Sequence, residues 1–237
     1  MLTNIHPSWR EILKNSLKNL DKEYLSFLEN NSSYFPNRDN LFNAFKTLPL
    51  HDTKYILFGQ DPYPRYESAI GYAFIDGKVK SLFDKNGGFS KEVNKATSLR
   101  NMMKMLLLCE GELKDDFSKE TIKKISHEKY INSIIELKNN FEKNGVLLLN
   151  SALIFTKKED SKYHAKMWKG FIDTLLKEIK NKDIKLLLFG NISKEIDKLN
   201  SSKDFEKVLV PHPYNVSFIT DKKVLEVFCP MRLLQKS

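Results

Sequence analysis

Four short apolar runs, separated by stretches with helical periodicity, constrain this chain more than any other feature. They cover residues 55–58, 146–149, 184–189 and 208–210. Short continuous apolar runs are typical of strands buried on both faces, and their alternation with helices favours a parallel sheet joined by right-handed crossovers. We therefore predict an α/β fold with a central four-stranded parallel sheet flanked by helices.

The length of the chain suits one large α/β domain or two small ones. It has 237 residues, of which 41% are hydrophobic, enough for a core. Residues 1–50 show apolar side chains at helical spacing, as in Trp9, Ile12 and Leu13, so we expect N-terminal helices packed on the same core. Because no repeat or linker divides the sequence, we predict a single domain over residues 1–237.

The first apolar run leads into a segment that we expect to be a stiff loop. Residues 59–64 have the sequence GQDPYP. Gly59 can adopt backbone angles closed to other residues, and each proline fixes its own φ. Such a loop would hold Gln60, Asp61 and Tyr63 at the end of a strand, where functional side chains are commonly placed.

The other three apolar runs also end in polar or Gly/Pro-containing segments. Asn150, Asn191 and His212 follow the second, third and fourth runs. The carboxyl ends of parallel strands lie at one edge of a sheet, and open α/β sheets bind ligands there. We therefore expect Asp61 and these three side chains to converge on one site.

These side chains suit acid–base and hydrogen-bonding chemistry. Asp61 can act as a general base or stabilise a cation, His212 can donate to a developing anion or act as an acid, and Asn150 can recognise a polar ring edge. The sequence has no Gly-x-Ser-x-Gly motif, no phosphate-binding loop, no dinucleotide fingerprint and no His or Cys spacing typical of metal sites. We therefore expect neither a metal nor a cofactor.

Charge, cysteine content and hydropathy limit the partners and the compartment. The net charge of +9 permits a polyanionic partner, either nucleic acid or an acidic membrane surface. No apolar run approaches the ~20 residues needed to span a bilayer, and the N-terminus lacks the features of a signal peptide. Cys109 and Cys229 are the only cysteines, so no disulfide framework is implied and a reducing cytosol fits. We expect a cytoplasmic protein.

The order of the motifs resembles that of family 1 uracil-DNA glycosylases. Residues 59–63 (GQDPY) are similar to that family's water-activating loop, and residues 71–74 (GYAF) to its base-stacking segment. The serine loop, asparagine strand, glycine-serine loop and histidine loop have similar segments at residues 98–101, 145–151, 187–191 and 212–213. The order agrees over most of the chain. GQDPY is highly specific, whereas the other motifs are weak singly.

The resemblance implies the uracil-DNA glycosylase fold and activity. Such an enzyme flips uracil out of DNA and hydrolyses its N-glycosidic bond, which starts base-excision repair without a metal or cofactor. Asp61 would position the water and stabilise the sugar cation, and His212 would hydrogen-bond uracil O2.

The resemblance also implies four base-binding residues. Asn150 would read the N3 and O4 edge, and Phe74 would stack on the ring. Tyr63 would fill the space of the thymine 5-methyl group, and Gln60 would add a backbone contact.

The segments that would hold DNA depart from the family pattern. Pro64 stands where the family has histidine. Residues 212–216 read HPYNV, so Val216 replaces an inserting leucine, with Tyr214 or Phe218 as candidate helpers. With these changes, the expected DNA-binding residues are Arg65, Ser98, Gly190, Asn191, Tyr214, Val216 and Ser217.

Two alternatives stay open. The altered loops suit a glycosylase of the same fold that acts on a different damaged or modified base, although Tyr63, Asn150 and Phe74 argue against a bulky pyrimidine. A non-catalytic DNA- or partner-binding protein is the other, although it need not retain Asp61 and His212. The resemblance implies a monomer that binds uracil-containing DNA, single- or double-stranded, with no membrane partner, and it leaves room for a protein inhibitor.

Overall fold

The strands predicted from the apolar runs form one sheet. The computed structural model describes residues 2–236, and in it β1 (Tyr55–Gly59), β2 (Val146–Asn150), β3 (Lys185–Phe189) and β4 (Lys207–Val210) form a four-stranded parallel sheet. The order across the sheet is β2-β1-β3-β4, so β1 lies in its interior. The predicted α/β fold is confirmed.

Helices connect and flank the strands, as the alternating pattern predicted. In chain order, the α-helices of the described residues are α1 (Pro7–Leu17), α2 (Lys22–Asn30), α3 (Lys91–Lys95), α4 (Thr97–Cys109), α5 (Lys119–Lys123), α6 (Ile134–Lys143), α7 (Ser161–Ile179), α8 (Ile192–Ile196) and α9 (Lys222–Phe228). Within residues 2–236, none combines the length and apolar character that a membrane-spanning helix requires.

The described residues group into two compact units, each made of two chain segments. The first unit runs to Asp76 and resumes over Gly145–Leu209. The second covers Gly77–Asn144 and resumes at Val210. A single domain over residues 1–237 therefore stays a prediction.

The N-terminal helices and the strands of the first unit share one hydrophobic core. Trp9 and Leu13 of α1 belong to the same buried cluster as Ile56 of β1 and Leu175 of α7. The Trp9 indole also donates a hydrogen bond to the Leu48 carbonyl (2.8 Å). Burial of these side chains orders the sheet and therefore its carboxyl edge.

Outside the sheet, the sequence pattern predicts three segments wrongly. The apolar residues after Pro36 predict a short helix, but this segment forms a pair of 3₁₀ turns, Arg38–Asn40 and Asn43–Phe45. The Gly- and Lys-rich residues 76–97 predict a surface excursion, but this segment buries apolar side chains and contains α3. Residues 221–234 predict a closing helix, but the helix ends with α9 and continues as a 3₁₀ turn.

The two cysteines are bonded to each other. Cys109, the last residue of α4, forms a disulfide with Cys229, the residue that follows α9. The sequence implied no disulfide framework, and this single disulfide was not predicted. Cysteine count alone could not show that packing in the second unit brings together residues 120 positions apart.

Candidate active site

The carboxyl ends of β1 and β2 are tied together by hydrogen bonds. The Ser151 N–H donates to the Gly59 carbonyl (2.9 Å), and the Gln60 carbonyl accepts from the Ala152 N–H (3.0 Å) and the Ser151 hydroxyl (3.1 Å). Because a peptide group is planar, fixing the Gln60 carbonyl also fixes the N–H that follows it. The segment after β1 is therefore fixed both by hydrogen bonds from the residues after β2 and by its own prolines.

Gly59 is required by close packing. Gly59 does not have a positive φ, whereas Gly71 and Gly190 do, so the unusual backbone angles that a glycine can adopt are not used at position 59. A Cβ at position 59 would overlap with Oδ1 of Asn150 and would lie 2.9 Å from the Ala73 Cβ. The absence of a side chain at Gly59 is what gives Asn150 its place.

Asp61 presents a partly buried carboxyl group just beyond β1. Its Oδ1 atom is buried and has no hydrogen-bond partner among residues 2–236. Burial raises the pKa of Asp61, and the nearby Ser161 hydroxyl lowers it in part. A buried acceptor with no protein partner is suited to accept from a water molecule or a ligand.

Asn150 and Tyr63 lie in the same unit as Asp61. Asn150 ends β2 and is only 7% exposed, with its amide oxygen against Gly59. Burial raises the pKa of the Tyr63 hydroxyl, and the Asp76 carboxylate adds to this rise. Tyr63 therefore stays neutral, as the Asn150 amide is by its nature.

Phe74 is held in an unusual backbone conformation. Its φ is +63°, a region that bulky residues rarely adopt. The preceding Ala73 N–H donates to the Leu148 carbonyl of β2 (3.1 Å), and the Phe74 ring meets Phe189 edge to face at 5.1 Å between centroids. Strained residues that their surroundings hold in place cluster at functional sites. The Phe74 ring is thus presented from a fixed position.

His212 lies in the second unit, two residues after β4. Its Nδ1 atom accepts a hydrogen bond from the Tyr214 N–H (3.1 Å). Burial lowers the pKa of His212, which favours the neutral ring. A ring nitrogen that accepts from an N–H carries no proton, so the proton of the neutral imidazole is on Nε2. His212 is therefore set up as a neutral hydrogen-bond donor.

The β3 exit turns sharply into α8. Gly190 has a φ of +60°, and the Ser193 hydroxyl donates to its carbonyl (2.9 Å). Asn191, which follows, is exposed. The turn places Gly190 and Asn191 at the carboxyl edge of the sheet, as predicted.

A groove beside the β1 exit is strongly basic. It has a volume of about 590 Å³, and residues of α7, α8 and the loop at Gln60 line it. Its one lining carboxylate, Glu195, is paired with a lysine at 2.8 Å. We call it the lysine groove after its four lysines, which are Lys162, Lys166, Lys169 and Lys198. An excess of positive charge in a groove attracts polyanions.

The residues expected to contact DNA are mostly exposed. Arg65 and Ser217 are exposed, Tyr214 is 67% exposed and Val216 is 73% exposed. The sequence around Ser98 also predicts that it caps the N-terminus of a helix, but Ser98 is partly buried within the first turn of α4 and does not cap that helix.

The structure places most of the predicted site residues in one unit. The first unit holds Gln60, Asp61, Tyr63, Phe74 and Asn150 around the β1 and β2 exits. Their convergence with His212 stays a prediction. No group of three or more His, Cys, Asp or Glu residues within 2–236 is arranged to hold a metal ion.

Two polar residues near these groups were missed from the sequence. Ser161 begins α7 and adjoins Asp61. Its only sequence signal is its position at the start of the helix that follows β2. Asn101 binds the segment after His212, as described below, and lay within the SLRN motif without being assigned a role.

Comparison with curated proteins finds relatives of known activity. No protein-family model matches the chain. It is 30% identical to the uracil-DNA glycosylase of Borreliella burgdorferi over 203 residues, which cover 82% of this chain and 77% of that protein. It is 27% identical to the uracil-DNA glycosylase of Streptococcus mutans over 221 residues, covering 90% and 85% of the two chains.

Comparison with solved structures agrees. The wild-type UNG of Nitratifractor salsuginis matches with a TM-score of 0.96 and 46% identity, over 100% of this chain and 95% of that one. A mimivirus UNG variant crystallised in complex with UGI matches with a TM-score of 0.59 and 19% identity, over 90% and 72% of the chains. At that identity the second match shows the fold alone.

Proposed function

This chain belongs to the uracil-DNA glycosylase family, and we propose that the residues at its strand exits carry out the family's reaction. The enzyme hydrolyses the N-glycosidic bond of uracil in DNA and leaves an abasic site, a step of base-excision repair. The observation that carries the assignment of roles is the buried Asp61 Oδ1 atom, which has no partner among the described residues.

Asp61 acts on the water and the sugar. As the bond to the base breaks, the deoxyribose develops the positive charge of an oxocarbenium ion. The Asp61 carboxylate stabilises this charge and accepts a hydrogen bond from the attacking water through its free Oδ1. Because burial raises its pKa, activity should fall on the acid side at a higher pH than for an exposed aspartate.

His212 acts on the leaving base. The electron pair of the broken bond goes to uracil, and negative charge collects on O2. The Nε2–H of neutral His212 donates to that oxygen, since Nδ1 already accepts from the Tyr214 N–H. The lowered pKa keeps the ring neutral at physiological pH, so it stabilises the anion without protonating it.

Four residues select the base. Asn150 offers a donor and an acceptor to the N3 and O4 edge of uracil, and the fixed Phe74 ring stacks on its face. Tyr63 occupies the space that the 5-methyl group of thymine would need. Gln60 contributes a backbone contact to the base, and its backbone is held in place because its carbonyl accepts a hydrogen bond within the protein.

The DNA backbone is bound by polar and basic residues at the strand exits. The phosphates next to the flipped nucleotide contact five residues, and Val216 and Tyr214 enter the space left by the base. The five are Arg65, Ser98, Gly190, Asn191 and Ser217. The strand then extends into the lysine groove, whose charge suits phosphates.

Three features of the enzyme's setting also belong to the proposal. We take it to act as a monomer in the cytoplasm on single- or double-stranded DNA. A protein inhibitor is a candidate partner, because the mimivirus relative is crystallised in complex with UGI.

An oligonucleotide assay tests the proposal. We expect release of uracil, and no release of thymine or cytosine from matched strands. Asp61→Asn and His212→Leu should each reduce kcat by orders of magnitude. Absence of abasic sites would overturn the activity, whereas full activity of both variants would overturn the assigned roles. Preferential release of a modified base over uracil would support the alternative substrate.

A further inference from the structure

Asn101 clamps the segment that follows His212. It lies in α4, is only 3% exposed, and its Nδ2 donates to the carbonyls of Pro213 (2.8 Å) and Tyr214 (3.3 Å). All these residues belong to the second unit. Tyr214 is itself 67% exposed, so its backbone needs a buried anchor to be held in one conformation.

One peptide group links Asn101 to the imidazole. The carbonyl of the Pro213–Tyr214 peptide accepts from Asn101, and the N–H of the same peptide donates to Nδ1 of His212. The C=O and N–H of a trans peptide lie in one plane and point in opposite directions, so holding one orients the other. Hydrogen bonds in series also polarise one another, which makes the N–H a better donor.

We infer that Asn101 is a positioning residue that sets the tautomer of His212 through the Pro213–Tyr214 peptide. The inference rests on the proposed role of His212. If this peptide rotated by about half a turn, its carbonyl instead of its N–H would face Nδ1. The ring would then carry its proton on Nδ1 and present a lone pair from Nε2 to the oxygen of the departing base. An acceptor facing a developing anion is repulsive, so the clamp determines whether His212 can donate.

The test compares Asn101→Ala with Asn140→Ala. Asn140 is the matched control because it is also buried in the second unit and donates to two backbone carbonyls, those of Leu233 (2.8 Å) and Gln235 (2.9 Å), away from the histidine segment. The first readout is the ¹⁵N NMR chemical shifts of the His212 ring nitrogens, which are assigned by the loss of their signals in His212→Leu. The second is kcat and KM on a uracil-containing oligonucleotide.

We expect Asn101→Ala to shift the His212 nitrogens away from a pure Nε2–H tautomer. We also expect kcat to fall on the order of 10- to 100-fold, the scale of a misplaced catalytic group, with KM nearly unchanged. Asn140→Ala should leave both readouts as in the wild type. If Asn101→Ala does not fold, Asn101→Ser retains one donor and should give an intermediate shift and an intermediate kcat.

A double-mutant cycle separates this role from a structural one. If Asn101 acts through His212, adding Asn101→Ala to His212→Leu should cause no further loss of kcat. Additive losses, or unchanged nitrogen shifts in the folded Asn101→Ala protein, would overturn the inference. The ring shifts do not depend on turnover, so a wild-type protein without uracil activity would count against the proposed function and leave the tautomer measurement interpretable.

Discussion

In the proposed mechanism, the burial of Asp61 that favours catalysis also disfavours folding. Its raised pKa means that the ionised carboxylate is less stable in the folded protein than in the unfolded chain. Below the unfolded pKa of about 3.9, Asp61 is protonated in both states and its ionisation costs the fold nothing. As the pH rises through the folded pKa, this favourable condition is lost and the free energy of unfolding falls. The group is thus destabilising at the pH at which the enzyme works.

Asp61→Asn should stabilise the protein while it removes activity. At pH 7.5 we expect Tm to rise by about 2–4 °C, the shift that ~1 kcal/mol produces in a chain of this size. The gain should shrink as the pH approaches 4.5. Thermal unfolding at both pH values measures it, with Asp115→Asn, an exposed aspartate, as control. A lower Tm for Asp61→Asn at pH 7.5 would contradict this view of the site.

At His164, which is not among the proposed site residues, the pH dependence of stability has the opposite sign to that at Asp61. This buried histidine shares hydrogen bonds with the Tyr24 hydroxyl (2.8 Å) and the Thr156 hydroxyl (2.8 Å), and burial lowers its pKa although Asp160 raises it in part. A lowered pKa stabilises the fold fully above the unfolded value of about 6.5, and this contribution is lost as the pH falls below that value.

His164→Gln should therefore make Tm less dependent on pH. Between pH 8 and pH 5.5 the free energy of unfolding of the wild type should fall more than that of His164→Gln. The reason is that only the unfolded wild type gains a proton at position 164, and this proton must be lost again on folding. His51→Gln, which removes an exposed histidine, is the control for the loss of a histidine. Equal pH dependence in the wild type and His164→Gln would show that other groups dominate.

Single residues divide into those that local sequence could identify and those that it could not. Asp61 and His212, the proposed catalytic residues, could be singled out because each follows an apolar run that becomes a strand. The clamp from Asn101 spans 112 positions along the chain, and only tertiary packing creates it. Ser161 likewise adjoins Asp61 only in the folded chain.

At the level of elements, the parallel register of β1 and β2 determines where Asn150, the proposed base-reading residue, lies. Gly59 pairs with Asn150, so the two residues lie side by side at the carboxyl edge. Gly59→Ala should displace the Asn150 amide, because a Cβ would overlap with Oδ1. We expect kcat/KM for uracil to fall by up to about 100-fold, the scale of a misplacement of ~1 Å.

Gly111→Ala is the control for that change. No atom lies within 4 Å of a Cβ at Gly111, although its φ of +78° makes any side chain there strained. This variant should lose some stability and retain activity in oligonucleotide assays. If Gly59→Ala matched it in kcat/KM, close packing at the strand exit would not control base recognition.

Elements with a clear period were predictable, and those without one were not. The apolar runs of β1, β2 and β3 matched their strands to within one residue. In contrast, Val79, Leu82, Phe83 and Phe89 follow neither the helix nor the strand period, so the sequence indicated a surface loop where tertiary packing buries them. For β4 the strand was predicted correctly, but its burial was not, since the apolar Leu209 is 48% exposed.

At the scale of the whole molecule, sequence charge predicted a polyanionic partner and could not locate it. The net charge of +9 is spread over 39 basic and 30 acidic residues. Lys162, Lys166 and Lys169 lie on the polar face of an amphipathic helix, which the pattern alone predicts to be solvated. Only the fold shows that this face borders a groove that begins at the β1 exit.

The lysine groove should account for part of the salt dependence of DNA binding. Each phosphate contact that is lost should lower the slope of log K against log salt by about 0.7 on single-stranded DNA. We therefore expect Lys162→Gln combined with Lys166→Gln to reduce the slope by up to about 1.4. Lys177→Gln combined with Lys180→Gln removes the same charge from the far end of α7 and should leave the slope unchanged. Fluorescence anisotropy in the Asp61→Asn background measures binding without turnover. Equal slopes for the two double variants would mean that only overall charge, and not a groove, attracts the DNA.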